Sequence, residues 1–331
     1  MTLAHISELH GLPVFDFPLP GEGARDLPEA ESVAWKLVRH DSAPEDFDDC
    51  WDRFLETVDP ARVHALVFGA GAYGSELDSG GPDRTAERLA EAAGRLTGLR
   101  ALYLADLTFE EAELSWIVQG DVSPILDAYP RLRELAVRGS SGGFGSQAGL
   151  EFKPVRHEHL RVLRFETGGL PAQVVHGLVA SELPALEHLD LWLGEPSYGR
   201  TATVEDLAPL LDGSGLPALR RLGVQNADIQ DEVAAAVASA PVVARLTALH
   251  LGRGILTDEG AAALLSGQPL LHLEELDLHH HFLSDAMTER LRQTLEPHGV
   301  KVVVSGKPEP DEDDYDEDED DEEARYIAAG E

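Results

Sequence analysis

Cysteine, basic side chains and long apolar runs are all scarce in this chain, and each scarcity removes a class of explanation. Cys50 stands alone, so there is neither an intramolecular disulfide nor a paired-cysteine metal site. Lys and Arg number 26 against 61 Asp and Glu, a formal net charge of −35. That balance argues against nucleic acid, because phosphate binding depends on clustered cations that release counterions. No apolar run approaches the roughly 18 residues of a membrane-spanning helix, so no membrane domain is expected. Residues 1–8 carry no basic segment and no apolar stretch of signal-peptide length, which makes a cytoplasmic location the expectation. Ser-His-Asp order, H-E-x-x-H and the P-loop spelling are missing too, so neither an enzyme nor a cofactor is expected.

What the chain has is a repeat. Leu273-Glu274-Glu275-Leu276-Asp277-Leu278 spells L-x-x-L-x-L. The spelling returns at Leu246/Leu249/Leu251, Leu219/Leu222/Val224, Leu186/Leu189/Leu191, Leu160/Leu163/Phe165, Leu132/Leu135/Val137 and Leu99/Leu102/Leu104, and more loosely at Val63/Leu66/Phe68. Successive sixth positions, from Phe68 to Leu278, lie 36, 33, 28, 26, 33, 27 and 27 residues apart, in or just above the range of leucine-rich repeats. Stacked units of this kind bury an apolar face that no single unit can bury. Counting a strand near Leu37 and a last one ending at Val304, the expected fold is an α/β leucine-rich-repeat solenoid, a horseshoe. It has about ten parallel strands on the concave side and helices on the convex side.

Three regions follow. Residues 1–30, rich in Pro and Gly with Val14, Phe15, Phe17 and Leu19 between prolines, read as an extended lead-in that packs against something. Residues 31–306 form the solenoid, opened by a capping strand-helix unit at 31–60 in which Phe47, Trp51, Phe54, Leu55 and Val58 recur at helical spacing. Residues 307–331, with fourteen acids and two bases, read as a disordered acidic tail. Between them, Glu110 to Val118 looks helical. Gly69-Ala70-Gly71-Ala72-Tyr73-Gly74 has dinucleotide-loop spelling, but Gly80, Gly81 and Pro82 block the helix that such a loop must open. Gly139-Ser140-Ser141-Gly142-Gly143-Phe144-Gly145-Ser146 lacks a P-loop ending and reads as a rim loop.

Leu256-Thr257-Asp258-Glu259-Gly260-Ala261, directly behind Leu246–Leu251 spacing, resembles the ribonuclease-inhibitor-like class of leucine-rich repeats. That resemblance implies helices on the convex side, with Thr257 and Ser284 as N-caps. One departure stands out: the ninth position, where the class commonly has Asn or Cys bonding the neighbouring loop, holds Ala227, Gly254 and His281, which implies a weaker or hydrated turn ladder. With its His10-Gly11-Leu12-Pro13-Val14 opening and its Arg325-Tyr326-Ile327 ending, the chain also resembles a bacterial group of leucine-rich-repeat proteins. Members of that group tend to be encoded near radical-SAM-type and ATP-grasp-type enzymes, which implies an accessory role.

In this architecture positions 4 and 6 of each copy face the core and positions 3, 5 and 7 line the concave sheet. The candidate partner-binding residues are therefore Tyr103, Arg138, Arg164, Glu166, Asp190, Trp192, Gln225, His250, Asp277 and His279. Arg164 beside Asp190 and Arg138 beside Glu166 also fit lateral pairing across parallel strands. Trp192, expected exposed, reads either as a binding hot spot or as cover for the following loop. His250, Asp277, His279 and His281 are of ligand type for zinc and related ions, the alternative to a solvated cluster. The expected function is a non-enzymatic protein-protein scaffold acting as a monomer through the concave face and Gly-rich rim. The alternative is a metal- or small-ligand-binding accessory protein or enzyme. Arg325, Tyr326 and Ile327 restore apolar character after the acidic run, suggesting a tethered peptide that docks on a partner or folds back on the body; otherwise the tail only solubilises.

Overall fold

The computed structural model describes residues 3–21, 27–38, 45–72, 83–139, 149–308 and 325–330. Among them twelve strands form one sheet, hydrogen-bonded in chain order. These are β1 (Glu8–Leu9), β2 (Leu12–Asp16), β3 (Ala34–Leu37), β4 (Ala65–Phe68), β5 (Ala101–Leu104), β6 (Glu134–Arg138), β7 (Val162–Glu166), β8 (His188–Gly194), β9 (Arg221–Ala227), β10 (Ala248–His250), β11 (Glu275–Asp277) and β12 (Lys301–Val303). Pairing is parallel from β2 onward, and only β1 runs antiparallel to its neighbour. The helices α1 (Phe47–Thr57), α2 (Asp83–Ala92), α3 (Ser123–Ala128), α4 (Ala172–Val179), α5 (Val204–Leu211), α6 (Gln230–Ala238), α7 (Asp258–Ser266) and α8 (Asp285–Leu295) return the chain between strands. This is a leucine-rich-repeat-like fold.

The repeat and the sheet register coincide. Leu135 lies opposite Leu163, Leu163 opposite Leu189, Leu189 opposite Leu222, Leu222 opposite Leu249, and Leu249 opposite Leu276. The fourth and sixth positions are all 0–2% exposed and pack against Val174, Val233, Leu264 and Leu291 of the helices. A one-residue slip would turn that whole row to the opposite face, so the burial itself specifies the register.

Thr257 and Ser284 cap α7 and α8, accepting the backbone N–H groups of Glu259 and Met287. The turns are also linked directly, from a position the sequence reading overlooked. The Asp231 carboxylate accepts the N–H groups of Thr257 at 2.8 Å and Gly260 at 3.1 Å, and Asp258 accepts the N–H of Ser284 at 2.8 Å and its hydroxyl at 2.7 Å. The implied weak ladder is thus replaced by first-turn aspartates holding the next helix start. Glu110 to Val118 does not form the expected helix; Leu114–Trp116 is a single 3₁₀ turn. Its buried apolar anchors are Leu114 and Ile117, too few to offset the cost of nucleating a helix.

The lead-in folds onto the sheet. β2 adds a parallel strand beside β3, and β1 doubles back through His10 and Gly11, with φ of 56° and 73°, the left-handed pair that a two-residue hairpin turn requires. Ile6, Leu9, Leu12 and Val14 then cover Ala34, Ala65, Val67, Ala101, Tyr103 and Ala136 on the face turned away from the helices. At the far end of the chain, residues 325–330 lie against the body, so the expected disorder of 307–331 does not extend to them. The acidic run at 311–323 lies outside the described residues.

Candidate functional site

The N-terminal half of the front face, the side away from the helices, is closed. Tyr103 is 0% exposed, and its hydroxyl donates to Glu166 Oε2 at 2.6 Å. Burial pushes that hydroxyl far above the ordinary tyrosine range, with the Glu166 charge adding to the effect, so it stays protonated and remains a donor. Arg138 bonds the same Glu166 oxygen through Nε and Nη2, both at 2.9 Å, and donates to the Leu107 carbonyl at 2.7 Å. Behind them the Asp106 carboxylate receives Lys36 Nζ at 2.7 Å and the Ile6 N–H at 3.1 Å. Tyr103, Arg138 and Glu166, expected to meet a partner, are internal braces beneath the hairpin.

Trp192 corrects a second expectation, since it is 4% exposed beneath the guanidinium of Arg253. Its neighbour Gln225 is buried as well, donating to Asp190 Oδ1 at 2.8 Å. Burial pushes the Asp190 carboxyl upward. Arg164 lies opposite Asp190 in the register but turns to Glu134 Oε1 at 2.7 Å, so the expected Arg164–Asp190 pairing is absent. The Arg138–Glu166 pairing is present.

From β7 to β12 the face is more open. Arg164, His188, His250, Glu275, Asp277 and His279 are half-buried, and Arg221 and Lys301 are exposed. Burial, reinforced by Arg164 and His250, pushes His188 down to about 4, so its ring is neutral at pH 7. Burial opposes ionisation of Asp277, but the His279 ring at 2.8 Å and the His279 N–H at 2.9 Å outweigh it and hold the carboxyl below its ordinary range. Arg164 Nε, His188 Nε2 and His250 Nε2 are buried atoms with no hydrogen-bond partner; the nearest carboxylate oxygen to His250 Nε2 is Glu275 Oε1 at 3.6 Å.

His250, Asp277, His279 and His281 do not converge on a common point for a cation. His281 is 1% exposed, its Nδ1 accepts the Leu283 N–H at 3.1 Å, and its Nε2 faces the Val304 carbonyl at 3.3 Å. Both of its nitrogens are engaged by backbone on the core side. Among the described residues no group of three or more His, Cys, Asp or Glu is placed to hold a metal, which corrects the metal expectation. Cys50 is buried in α1, and burial pushes its thiol up to about 11, the opposite of an activated nucleophile. Of the dinucleotide-like spelling, residues 69–72 are described and 73–82 are not; the Gly-rich rim loop at 140–148 also lies outside the described residues.

Arg325, Tyr326 and Ile327 sit on the rim beyond the ends of the strands. Tyr326 is 53% exposed, with its ring 5.5 Å from His280 and 6.1 Å from Phe282, while Ile327 is 6% exposed. Two features were missed from sequence. Trp116, 71% exposed, is the outward tryptophan that Trp192 was expected to be. Asn226, Arg253 and His280, each at the eighth position of successive repeats, share left-handed backbone with φ of 54°, 66° and 53°; Asn226 and His280 are of types enriched in this conformation and Arg253 is not.

No family model matches the chain, and no curated protein matches it. Among solved structures, a Bacteroides fragilis protein determined as a structural-genomics target aligns at 30% identity with a TM-score of 0.70, covering 78% of this chain and 70% of that one. An internalin (inlF) from Listeria monocytogenes aligns at 15% identity over 75% of this chain and 69% of its own, with a TM-score of 0.31, too loose a superposition to bear on the fold.

Proposed function

The chain belongs to the same family as the Bacteroides fragilis protein, a membership that carries a fold and no activity, and from its own surfaces we propose a non-enzymatic scaffold for a protein partner. The carrying observation is the division of the concave face. Its first half is sealed by the hairpin over β3–β6, while β7–β12 present Arg164, His188, Arg221, His250 and Glu275 with three polar atoms left unpartnered. Exposed Arg221 and half-buried Arg164, His250 and Glu275 leave charged and polar groups open to a partner on this half of the face. Trp116 on the rim adds the residue type most enriched in binding hot spots.

The horseshoe thus offers one working half, used by a monomer in an aqueous compartment. The enzymes that the bacterial resemblance implies, of radical-SAM or ATP-grasp type, are the first partners to try. The test pairs Arg221→Glu/His250→Glu with a control on the helix side, Glu289→Lys, in co-precipitation with such an enzyme from the same host. Loss of capture by the first variant alone, with both melting like the parent, is the expected result. Equal capture by all three would remove this face from the function.

A further inference from the structure

The last described residues are bound as a peptide ligand is bound. The His280 ring nitrogen Nε2 lies 3.0 Å from the Tyr326 carbonyl, the Ala328 N–H donates to the Arg253 carbonyl at 2.7 Å, and the Asn226 amide takes Ala329 from both sides. Asn226 Nδ2 donates to the Ala329 carbonyl at 2.6 Å, and its Oδ1 accepts the Ala329 N–H at 2.9 Å. All of these bonds read main chain, so any extended segment can make them. The three residues that supply them are the left-handed eighth positions of successive repeats, and the peptide crosses those repeats in descending order.

Side-chain selection is confined to a few places. Ile327 and Ala329 are 6% and 5% exposed. A Cβ on Gly330 would stand 2.6 Å from Cε2 of the Tyr198 ring, so any residue other than glycine must displace that ring. Gly168, likewise, could not carry a Cβ without meeting the Gly330 carbonyl at 2.6 Å. The rim therefore reads aliphatic, any, alanine, glycine.

The covalent connection does not explain the binding. His280 donates its backbone N–H to Ser305 at 2.8 Å while its ring meets Tyr326, so one residue holds both flanks of the stretch 309–324. Sixteen residues could reach about 50 Å fully extended, far more than a gap bridged by one side chain needs.

We propose that this rim is a peptide-recognition site for an extended partner segment of the pattern aliphatic-x-Ala-Gly, and that the chain's own C-terminal segment is its resident competitor. The site uses the eighth positions of the repeats, whereas the proposed partner face uses the third and fifth, so either assignment can fail without the other.

The test uses the full chain carrying Ile327→Asp and Gly330→Val, which frees the rim, and a fluorescein-labelled peptide of residues 325–331 read by anisotropy. Saturable binding of one peptide per released chain is expected, at least tenfold weaker binding to the parent, and at least tenfold weaker binding of the peptide carrying Gly330→Val. That last comparison changes only the probe and cannot disturb the fold. A released chain that keeps the parent's melting curve yet binds no peptide, or binds both peptides alike, would overturn the proposal. Sedimentation of the parent as a dimer that the free peptide dissociates would overturn the partner assignment in favour of a second copy.

Discussion

The guanidinium of Arg253 sits 4.5 Å from the centroid of the Trp192 ring, and the Arg253 carbonyl holds Ala328. Trp192 is therefore the floor beneath the rim. Trp192→Ala removes a buried indole and uncovers a desolvated guanidinium, so it should cost about 3–5 kcal/mol. Urea denaturation checks it, and a midpoint equal to the parent's would show the indole to be dispensable. Amide exchange at Ala328 should quicken in the same variant.

Leu249 and Leu276, both 0% exposed and paired across β10 and β11, fill the core between adjacent repeats. Leu249→Ala or Leu276→Ala should each destabilise by about 2–5 kcal/mol, the spread reflecting how far the cavity collapses. Because the two leucines touch the same layer, the double variant should depart from additivity. Chemical denaturation of the two single variants and the pair measures both quantities.

Repeat spacing, inward positions and the N-caps were legible because apolar periodicity and capping chemistry are local properties of sequence. The closure of the front face was not. Tyr103 occupies a position that lines an open face in the bare repeat, and what buries it is Ile6 and Leu9, about a hundred residues earlier. Such long-range cover leaves no periodic signature. Trp192 departs from its expected exposure for the same reason, since what covers it is Arg253, sixty-one residues further on. Tyr326 and Ile327 were found because an apolar end after an acidic run is a compositional break. Their receptor was hidden, because left-handed backbone at Arg253 follows from turn geometry and not from residue type, and Asn and His adopt it only as a minority of their kind.

His188 supplies a pH dependence with a definite sign. Its ring is held neutral in the fold, down at about 4, against roughly 6.5 when unfolded. The unfolded chain thus binds the proton more readily, so this contribution is complete above about 6.5 and is lost as pH falls towards 4. Its ceiling is about 3 kcal/mol. His157, His280 and His281 are pushed down by burial as well and act in the same direction. Melting temperature should fall steadily below pH 6.5, and His188→Gln should shallow that slope. An unchanged slope in the variant would mean that His188 is already free to ionise in the fold.

Lys36 and Asp106 give the sharpest test of how the hairpin closes the front face. The Asp106 carboxylate is 0% exposed and Lys36 is 5% exposed, with 2.7 Å between Nζ and Oδ2. His5 Nδ1 lies 3.2 Å and Arg138 Nη1 3.8 Å from the same carboxylate, and the Ile6 N–H donates into it. Lys36→Met keeps the apolar stem but removes the main counter-charge, leaving a buried carboxylate with the His5 ring, a distant guanidinium and one N–H. Breaking a buried pair from one side costs about 3–5 kcal/mol, whereas replacing both partners by apolar groups is often nearly neutral. Lys36→Met/Asp106→Leu should therefore recover much of what Lys36→Met loses, although Ile6 then has no acceptor and its amide should exchange faster. Thermal melts of the single and double variants, with exchange at Ile6 and Leu9, separate the effects. A double variant no more stable than the single would trace the loss to a cavity at Lys36, and the hairpin would then be held by Leu9 and Leu12 packing alone.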